Sequence, residues 1–200
     1  MSGDGEGQWP FPAPRDDGAA DHLRQGDPLP DLDLPATIGE TVNPARLHRA
    51  VVFVYTWTGR PGLDNPPGWD DIPGAHGSTP EAEGFRDRHQ DFADLAYSIV
   101  GLSVQSPEWQ SELAARLALP YALASDSDGR LQRALRLPTF LTGGATYLKR
   151  LTLVVTGGRI HHVFYPVHPP DTHAASVCAW LAGHNTTQPV SSRAIGSPER

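Results

Sequence analysis

AVVFVYTW, residues 50–57, is a short continuous run of apolar and β-branched residues without a charged side chain. A strand that is covered on both faces, as in the middle of a parallel sheet, has this composition. A second run of the same kind, YSIVGLSV, occupies residues 97–104. Between them, the apolar side chains of residues 78–96 fall near one stripe at helical spacing. The sequence therefore predicts two central strands connected by a helix that begins at or just after Ser78.

Further predicted elements lie on both sides of this unit. They are a small hairpin at 31–42, a helix at 107–119, a short strand at 121–125, a short helix around 131–135, a strand hairpin formed by 150–155 and 159–165, and a terminal helix at about 171–182. This order predicts an α/β protein with a mixed central sheet and helices on both faces, which is the order that a thioredoxin-like fold requires.

The ends of the chain differ in composition from its middle. Residues 1–25 and 184–200 are polar or rich in Gly and Pro, so we expect a disordered N-terminal lead, one domain over 26–183 and a disordered C-terminal tail. The acidic start lacks the basic and apolar segments of a signal peptide, and no apolar run approaches membrane-spanning length. We expect a cytoplasmic protein that does not bind membranes.

Charge and cysteine content exclude several classes of partner and cofactor. The net charge is −7 and basic residues are not clustered, so nucleic acid is not an expected partner. Cys178 is the only cysteine, which rules out an intrachain disulfide and a cysteine-based zinc site. Neighbouring His161 and His162 point to opposite faces of a predicted strand, a poor arrangement for a metal. We predict no cofactor and no metal, and a core-packing role for Cys178.

The start of the helix at Ser78 is the most informative place for chemistry. A strand that leads through a loop into a helix N-terminus concentrates backbone N–H groups and the positive end of the helix dipole, which stabilises anions. A cysteine in such a first turn has a lowered pKa and is a reactive thiolate. The preceding loop, residues 58–77, is long and rich in Gly and Pro, which favours a functional or lid-like role.

Several segments resemble the peroxiredoxin family, specifically its AhpC/TSA redoxins and the members similar to bacterioferritin-comigratory proteins. They are VVFVYTWTGRPG, PGAHGSTPEAEGFRDRH, KRLTLVV and GGRIHHVFYPV. The most specific stretch, GSTPEAEGFRD at 77–87, is similar to the G-C-T-x-x-x-C-x-F-R-D segment of those enzymes. The resemblance covers about residues 26–183. It implies a thioredoxin-like fold, thiol-dependent reduction of a small-molecule peroxide, a thiol reductant as partner, and a monomer or homodimer.

The resemblance also implies roles for individual residues. Ser78 occupies the position of the peroxidatic cysteine, and Thr79 follows it as in the family. Glu83 stands where members often have a resolving cysteine, and Arg150 resembles the arginine that polarises the peroxide and holds the thiolate. Thr56 takes the place of the proline that usually begins the active-site loop. Both catalytic thiols are therefore absent, and we expect peroxidase activity to be lost or altered.

Chemistry supports this expectation, although the role of Ser78 has several interpretations. The family's thiolate attacks the peroxide O–O bond and becomes a sulfenic acid, whereas a serine hydroxyl is a weak nucleophile with no comparable oxidation state. Ser78 could cap the helix in an S-x-x-E box with Glu81, or Thr79 could be the cap. It could also be an engineered replacement of cysteine, or belong to an altered site. That altered site could bind an anionic ligand or a protein partner, or use His76, Ser78 and Arg150 for acid–base chemistry on a small molecule.

Overall fold

The structure, a computed structural model of the 200-residue chain, describes residues 9–184. Its strands are β1 (Leu34–Pro35), β2 (Thr41–Val42), β3 (Arg49–Val54), β4 (Ser98–Ser103), β5 (Ala122–Ser125), β6 (Thr139–Thr142), β7 (Ala145–Leu148), β8 (Leu151–Thr156) and β9 (Arg159–Phe164). Its α-helices are α1 (Ser78–Asp87), α2 (His89–Asp94), α3 (Pro107–Arg116), α4 (Arg130–Leu135) and α5 (His173–His184). Within this described range, no helix has the length and apolar character needed to cross a bilayer.

A five-stranded mixed sheet forms the centre of the fold. Its strand order is β5-β4-β3-β8-β9, and the pairs β3–β4 and β4–β5 are parallel while β3–β8 and β8–β9 are antiparallel. The apolar run at 50–57 therefore supplies the middle strand, as its composition predicts. The mixed sheet and its helices confirm the predicted α/β, thioredoxin-like architecture.

Alternate side chains of β3 face two separate apolar cores. Val51 and Phe53 belong to a cluster that contains buried side chains of α1, α2, α3 and α5. Val52 and Val54 belong to the other cluster, which includes the buried leucines of α4. The period of two along a strand puts these residues on opposite faces, so the helices cover both sides of the sheet.

The predicted helix over 78–96 is divided into two helices. α1 ends at Asp87, and Arg88 leaves the helical conformation with φ −105° and ψ 12° before α2 begins. Phe85 in α1 and Phe92 in α2 are both fully buried, and their ring centroids lie 5.5 Å apart. The apolar stripe predicted from the sequence therefore packs on the sheet across the break.

The hairpin formed by β6 and β7 has no counterpart in the sequence prediction. Gly143 and Gly144 form its turn, both with positive φ. Phe140 and Tyr147 lie opposite each other in the two strands, and both rings contact Trp69 from the long loop. This aromatic contact joins residues that are far apart in sequence, so no local pattern indicates it.

The expectation of a disordered N-terminal lead does not describe residues 9–25. Ala20 and Leu23 are buried in the same cluster as Val52, and the N–H of Gly26 bonds to the carbonyl of Ile160 in β9. Apolar side chains give this Pro-rich segment a fixed path without helical or strand periodicity. Residues 1–8 and nearly all of the predicted C-terminal tail lie outside the described residues.

Candidate functional site

Ser78 is the first helical residue of α1 and is 2% exposed. The N-cap is Gly77, which has a left-handed φ of 106° and makes no side-chain capping bond. Both capping interpretations are therefore wrong, because neither Ser78 nor Thr79 holds the N-cap position. The Ser78 side chain is therefore available for hydrogen bonds inside the protein.

The Ser78 hydroxyl lies between a hydroxyl and a guanidinium group. Its Oγ is 3.0 Å from Thr56 Oγ1, which donates its own proton to the carbonyl of Ala75 at 2.7 Å. Because Thr56 has a single hydroxyl proton, Ser78 is the donor in the Ser78–Thr56 bond. Arg150 Nη2 donates to the same Ser78 oxygen at 3.2 Å. The Ser78 oxygen therefore accepts a hydrogen bond from a positively charged group.

Sheet pairing carries Arg150 to the start of α1. Arg150 immediately precedes β8, whose first residue, Leu151, is paired with Val54 at the end of β3. From Val54 the chain continues to Thr56. The side chains of Thr56 and Arg150 therefore lie together at the paired ends of β3 and β8. Arg150 is 4% exposed, and its Nη2 also donates to the carbonyl of His76 at 3.1 Å. The structure thus brings together Ser78 and Arg150, as the resemblance implied.

Glu81 is the charged partner of Arg150 and was not predicted as a site residue. Its Oε2 accepts a hydrogen bond from Arg150 Nη1, and the carboxyl group is fully buried. Burial raises the pKa of Glu81 to about 7, although the charge of Arg150 acts in the opposite direction. Glu81 lies three residues after Ser78, on the same side of α1. That spacing, on a stripe that is otherwise apolar, is the sequence signal that could have identified it.

His76 contributes its backbone carbonyl to the site, while its side chain turns elsewhere. The imidazole Nε2 is 2.7 Å from Asp70 Oδ1, and the ring stacks on Phe11 with a centroid distance of 3.6 Å. Because the Ser78 proton is directed to Thr56, this arrangement gives no support to a role for His76 as the base of Ser78. Asp70 and Phe11 were not predicted as its partners.

Thr79 and Glu83 have different surroundings. Thr79 lines a pocket of about 330 Å³ together with Ser78. Glu83 is on the exposed side of α1, where its carboxylate lies 4.0 Å from Arg86 and its side chain is 41% exposed. The helix therefore keeps Glu83, which the family resemblance aligns with a resolving cysteine, away from the buried polar cluster of Ser78, Glu81 and Arg150.

The pocket at Ser78, which we call the aromatic pocket, has walls from two segments distant in sequence. Trp9 and Phe11 come from the N-terminal segment, while Trp57 and Trp69 come from the chain that follows β3. The predicted functional role of the 58–77 loop is consistent with this placement. Arg150 donates to Ser78 but does not itself line this pocket. Aromatic walls around the Ser78 hydroxyl suit a small ligand with one polar group.

Two further titratable side chains bear on the chemistry. His173 is 5% exposed, its Nε2 is 2.8 Å from Thr152 Oγ1, and burial together with the charge of Arg150 lowers its pKa to about 3. Cys178, on α5, packs against the core that contains Val51 and Phe53, and burial raises the pKa of its thiol. A raised pKa is the reverse of what a peroxidatic thiol needs. Among residues 9–184, no cluster of three or more His, Cys, Asp or Glu is arranged to hold a metal.

Known proteins resemble the chain over most of its length. A family model described as Redoxin matches residues 24–178. Peroxiredoxin Bcp of Bacillus subtilis is 31% identical over 109 residues, which cover 54% of this chain and 61% of that protein. The crystal structure of peroxidoxin BcpB from Mycobacterium tuberculosis is 27% identical, with a TM-score of 0.62 and coverage of 81% of this chain and 98% of that one. A cysteine-to-serine mutant of PrxQ from Xylella fastidiosa has a TM-score of 0.64 at 21% identity, covering 82% and 98%.

Proposed function

This chain belongs to the Redoxin family and is peroxiredoxin-like, and we propose that it binds a small peroxide or anionic ligand at Ser78 without turning over as a thiol peroxidase. The observation that carries the proposal is the hydrogen bond from the buried guanidinium of Arg150 to Ser78 Oγ. It supports a site that stabilises negative charge at residue 78, where this chain has oxygen in place of sulfur.

The absence of a thiol at this position is the reason for excluding peroxidase turnover. In the thiol reaction, a thiolate attacks the O–O bond, an alkoxide or hydroxide leaves, and the sulfur becomes a sulfenic acid. Two further thiols then reduce the sulfenic acid, releasing water and a disulfide. Ser78 cannot form the first product, and Glu83 offers no resolving thiol. Cys178 has a raised thiol pKa, which makes it a poor substitute.

Retention of ligand binding rests on groups that do not depend on sulfur. Arg150 supplies a fixed positive charge, and the first turn of α1 supplies backbone N–H groups and the helix dipole. The aromatic pocket supplies apolar surface beside them. Because the relatives are peroxiredoxins, a hydroperoxide is the ligand class we test first, with inorganic anions as the alternative.

An acid–base enzyme that uses Ser78 as a nucleophile is less well supported. Such an enzyme needs a base that accepts the proton of its hydroxyl nucleophile. Here that proton is directed to Thr56, and the imidazole of His76 is occupied by Asp70. The pair His76–Asp70 therefore has no path to the Ser78 hydroxyl in this arrangement.

The test compares the protein with its Ser78→Cys variant in hydrogen peroxide and cumene hydroperoxide, with dithiothreitol as reductant. We expect the unmodified protein to match the buffer rate, and Ser78→Cys to consume peroxide measurably faster. Ser125→Cys is the matched control, because Ser125 is also 2% exposed and hydrogen-bonded but does not contact Arg150. It should remain at the buffer rate.

Two results would overturn the proposal in different ways. Turnover by the unmodified protein that persists after Cys178→Ala would refute the loss of peroxidase activity. A Ser78→Cys variant that is folded but no faster than Ser125→Cys would refute a site that is still suited to peroxide.

A further inference from the structure

A second cavity, of about 410 Å³, includes Thr56 and Arg150 in its lining but is distinct from the aromatic pocket. We call it the basic cavity, because Arg15, Lys149 and Arg150 all line it and Asp17 is its single acidic residue. The chain as a whole has a net charge of −7. Lys149 is paired with Asp17 and Arg150 with Glu81, so Arg15 is the cation of the lining that has no acidic partner within residues 9–184. An uncompensated cation in an acidic protein favours an anionic ligand.

One wall of the basic cavity already binds a carboxylate group. Asp17 accepts a hydrogen bond from Lys149 Nζ at 2.5 Å and another from the Tyr165 hydroxyl at 2.6 Å. These two bonds hold the pKa of Asp17 well below its usual range. The Lys149 ammonium and the Tyr165 hydroxyl are therefore placed to donate to a carboxylate, as they do to the carboxylate of Asp17.

Two cations of the cavity keep donors that Asp17 does not use. The Nε–H of Arg150 is buried and has no hydrogen-bond partner among residues 9–184. A buried donor of a charged group that lacks an acceptor is costly, so an acceptor supplied by a ligand would be favourable. No ion pair or hydrogen bond joins the exposed guanidinium of Arg15 to another residue of the described chain.

The rest of the lining is apolar. Ile72, Phe140 and Pro166 are among the residues that form it. The cavity volume falls in the range of sites for small organic ligands, which are mainly apolar with a few polar groups that fix orientation. An inorganic anion would leave this apolar surface without a partner.

From these observations we propose that the basic cavity is a binding site for a small monocarboxylate with an apolar body, held by Lys149 and Arg15 beside Arg150. This goes beyond the peroxide or anion site at Ser78, because Lys149, Arg15 and Phe140 do not line the aromatic pocket.

Calorimetric titration of the full chain with octanoate tests the proposal, with octanamide and inorganic phosphate as comparisons. We expect octanoate to bind, and octanamide and phosphate to bind at least about tenfold more weakly, since a charge-assisted hydrogen bond and apolar burial are each lost in one of them. Lys149→Gln should weaken octanoate binding about tenfold. Arg15→Gln should weaken it about threefold, because exposed ion pairs are weaker. Arg46→Gln, at an exposed arginine outside the cavity, should have no effect.

A chemical probe gives an independent measurement, because Lys149 is the only lysine of the chain. Octanoate should slow acylation of Lys149 by a succinimidyl ester, measured by peptide mass spectrometry, and octanamide should not. Equal binding of octanoate and octanamide, equal binding of octanoate and phosphate, or octanoate affinity unchanged in both Lys149→Gln and Arg15→Gln would each overturn the proposal. Arg15→Gln keeps the test valid if Lys149→Gln fails to fold.

Discussion

At the scale of single residues, a neutral hydroxyl at position 78 leaves the charge of Arg150 to be balanced by another group. A thiolate at position 78 would be an anionic partner of the guanidinium, whereas the Ser78 hydroxyl is neutral. Glu81 is then the carboxylate that compensates the buried charge of Arg150. Burial opposes its ionisation and raises its pKa to about 7. Proton uptake by Glu81 is therefore expected to depend on pH in the physiological range.

The variant Glu81→Gln tests this balance through the pH dependence of stability. The folded-state pKa of about 7 lies above the ordinary value of 4.5, so the folded protein holds the proton more tightly than the unfolded chain. This contribution to stability is fully present below about pH 4.5 and is lost as the pH rises to about 7. We expect the free energy of unfolding of the unmodified protein, minus that of Glu81→Gln, to fall across this window in urea denaturation.

His173 also makes the free energy of unfolding depend on pH, with the opposite sign. Its contribution is the same in both proteins, so it cancels when the free energy of unfolding of Glu81→Gln is subtracted from that of the unmodified protein. The folded-state pKa of His173, about 3, is below the ordinary 6.5, so its contribution is lost as the pH falls. A difference in the free energy of unfolding that rises with pH, or stays constant between pH 4.5 and 7, would contradict a raised pKa of Glu81 in the folded protein.

At the scale of elements, Gly77 is where three segments meet in front of α1. Its φ of +106° is in the left-handed region, and an added Cβ would meet Trp9 at 2.8 Å and also clash with Pro170. Trp9 belongs to the N-terminal segment and Pro170 to the connection before α5. The packing of both segments therefore depends on a residue without a side chain directly before Ser78.

Gly77→Ala should be destabilising, and Gly26→Ala separates the two causes. Gly26 has a similar φ of +92° but nothing within 4 Å of an added Cβ. The alanine at position 26 should cost about 1–2 kcal/mol from backbone strain alone. At position 77 we expect about 1–3 kcal/mol more from overpacking, measured by thermal unfolding. Equal losses of stability in the two variants would contradict the close packing of Trp9 and Pro170 on Gly77.

The elements differ in how well the sequence predicts them, because some have a local sequence pattern and others depend on contacts between residues distant in sequence. The runs at 50–57 and 97–104 predict central strands because burial on both faces leaves a local signature, and Ser106 with Pro107 marks the start of α3 as the structure has it. The β6–β7 hairpin depends on contacts of Phe140 with the distant Trp69, which no local pattern encodes.

The candidate site shows the same division between local and distant information. The family motif predicts the proximity of Ser78 and Arg150. It does not predict that Glu81 is paired with Arg150, because S-x-x-E is also a capping signature. The contact of His76 with Phe11 comes from an N-terminal segment whose composition suggests disorder. The proline and glycine content of this segment predicts disorder, although its aromatic side chains are packed.

At the scale of the whole molecule, the two apolar cores share β3. Val51 and Phe53 face one core, and Val52 and Val54 face the other. Neither core can lose its packing without exposing one face of the same strand. We therefore expect the sheet and the helices on its two faces to unfold together.

Leu113→Ala and Leu153→Ala test this coupling from opposite faces. Leu113, in α3, is fully buried in the core that contains Val51 and Phe53. Leu153, in β8, is 2% exposed in the core that contains Val52 and Val54. Each substitution should cost about 2–5 kcal/mol. Far-ultraviolet circular dichroism and tryptophan fluorescence should give one coincident urea transition in both variants. Separate transitions, with one variant shifting only one of them, would contradict a single cooperative unit.

The proposed function depends on stabilisation of negative charge at position 78 by Arg150, which donates to Ser78, and by the first turn of α1. The most direct measurement is the pKa of a thiol placed there, in Ser78→Cys combined with Cys178→Ala, followed by thiolate absorbance against pH. We predict a pKa below about 7, compared with about 8.5 for an ordinary cysteine. Ser125→Cys in the same background should titrate at or above the ordinary value. A thiol at position 78 that titrates at or above about 8.5 would contradict an anion-stabilising site at this residue.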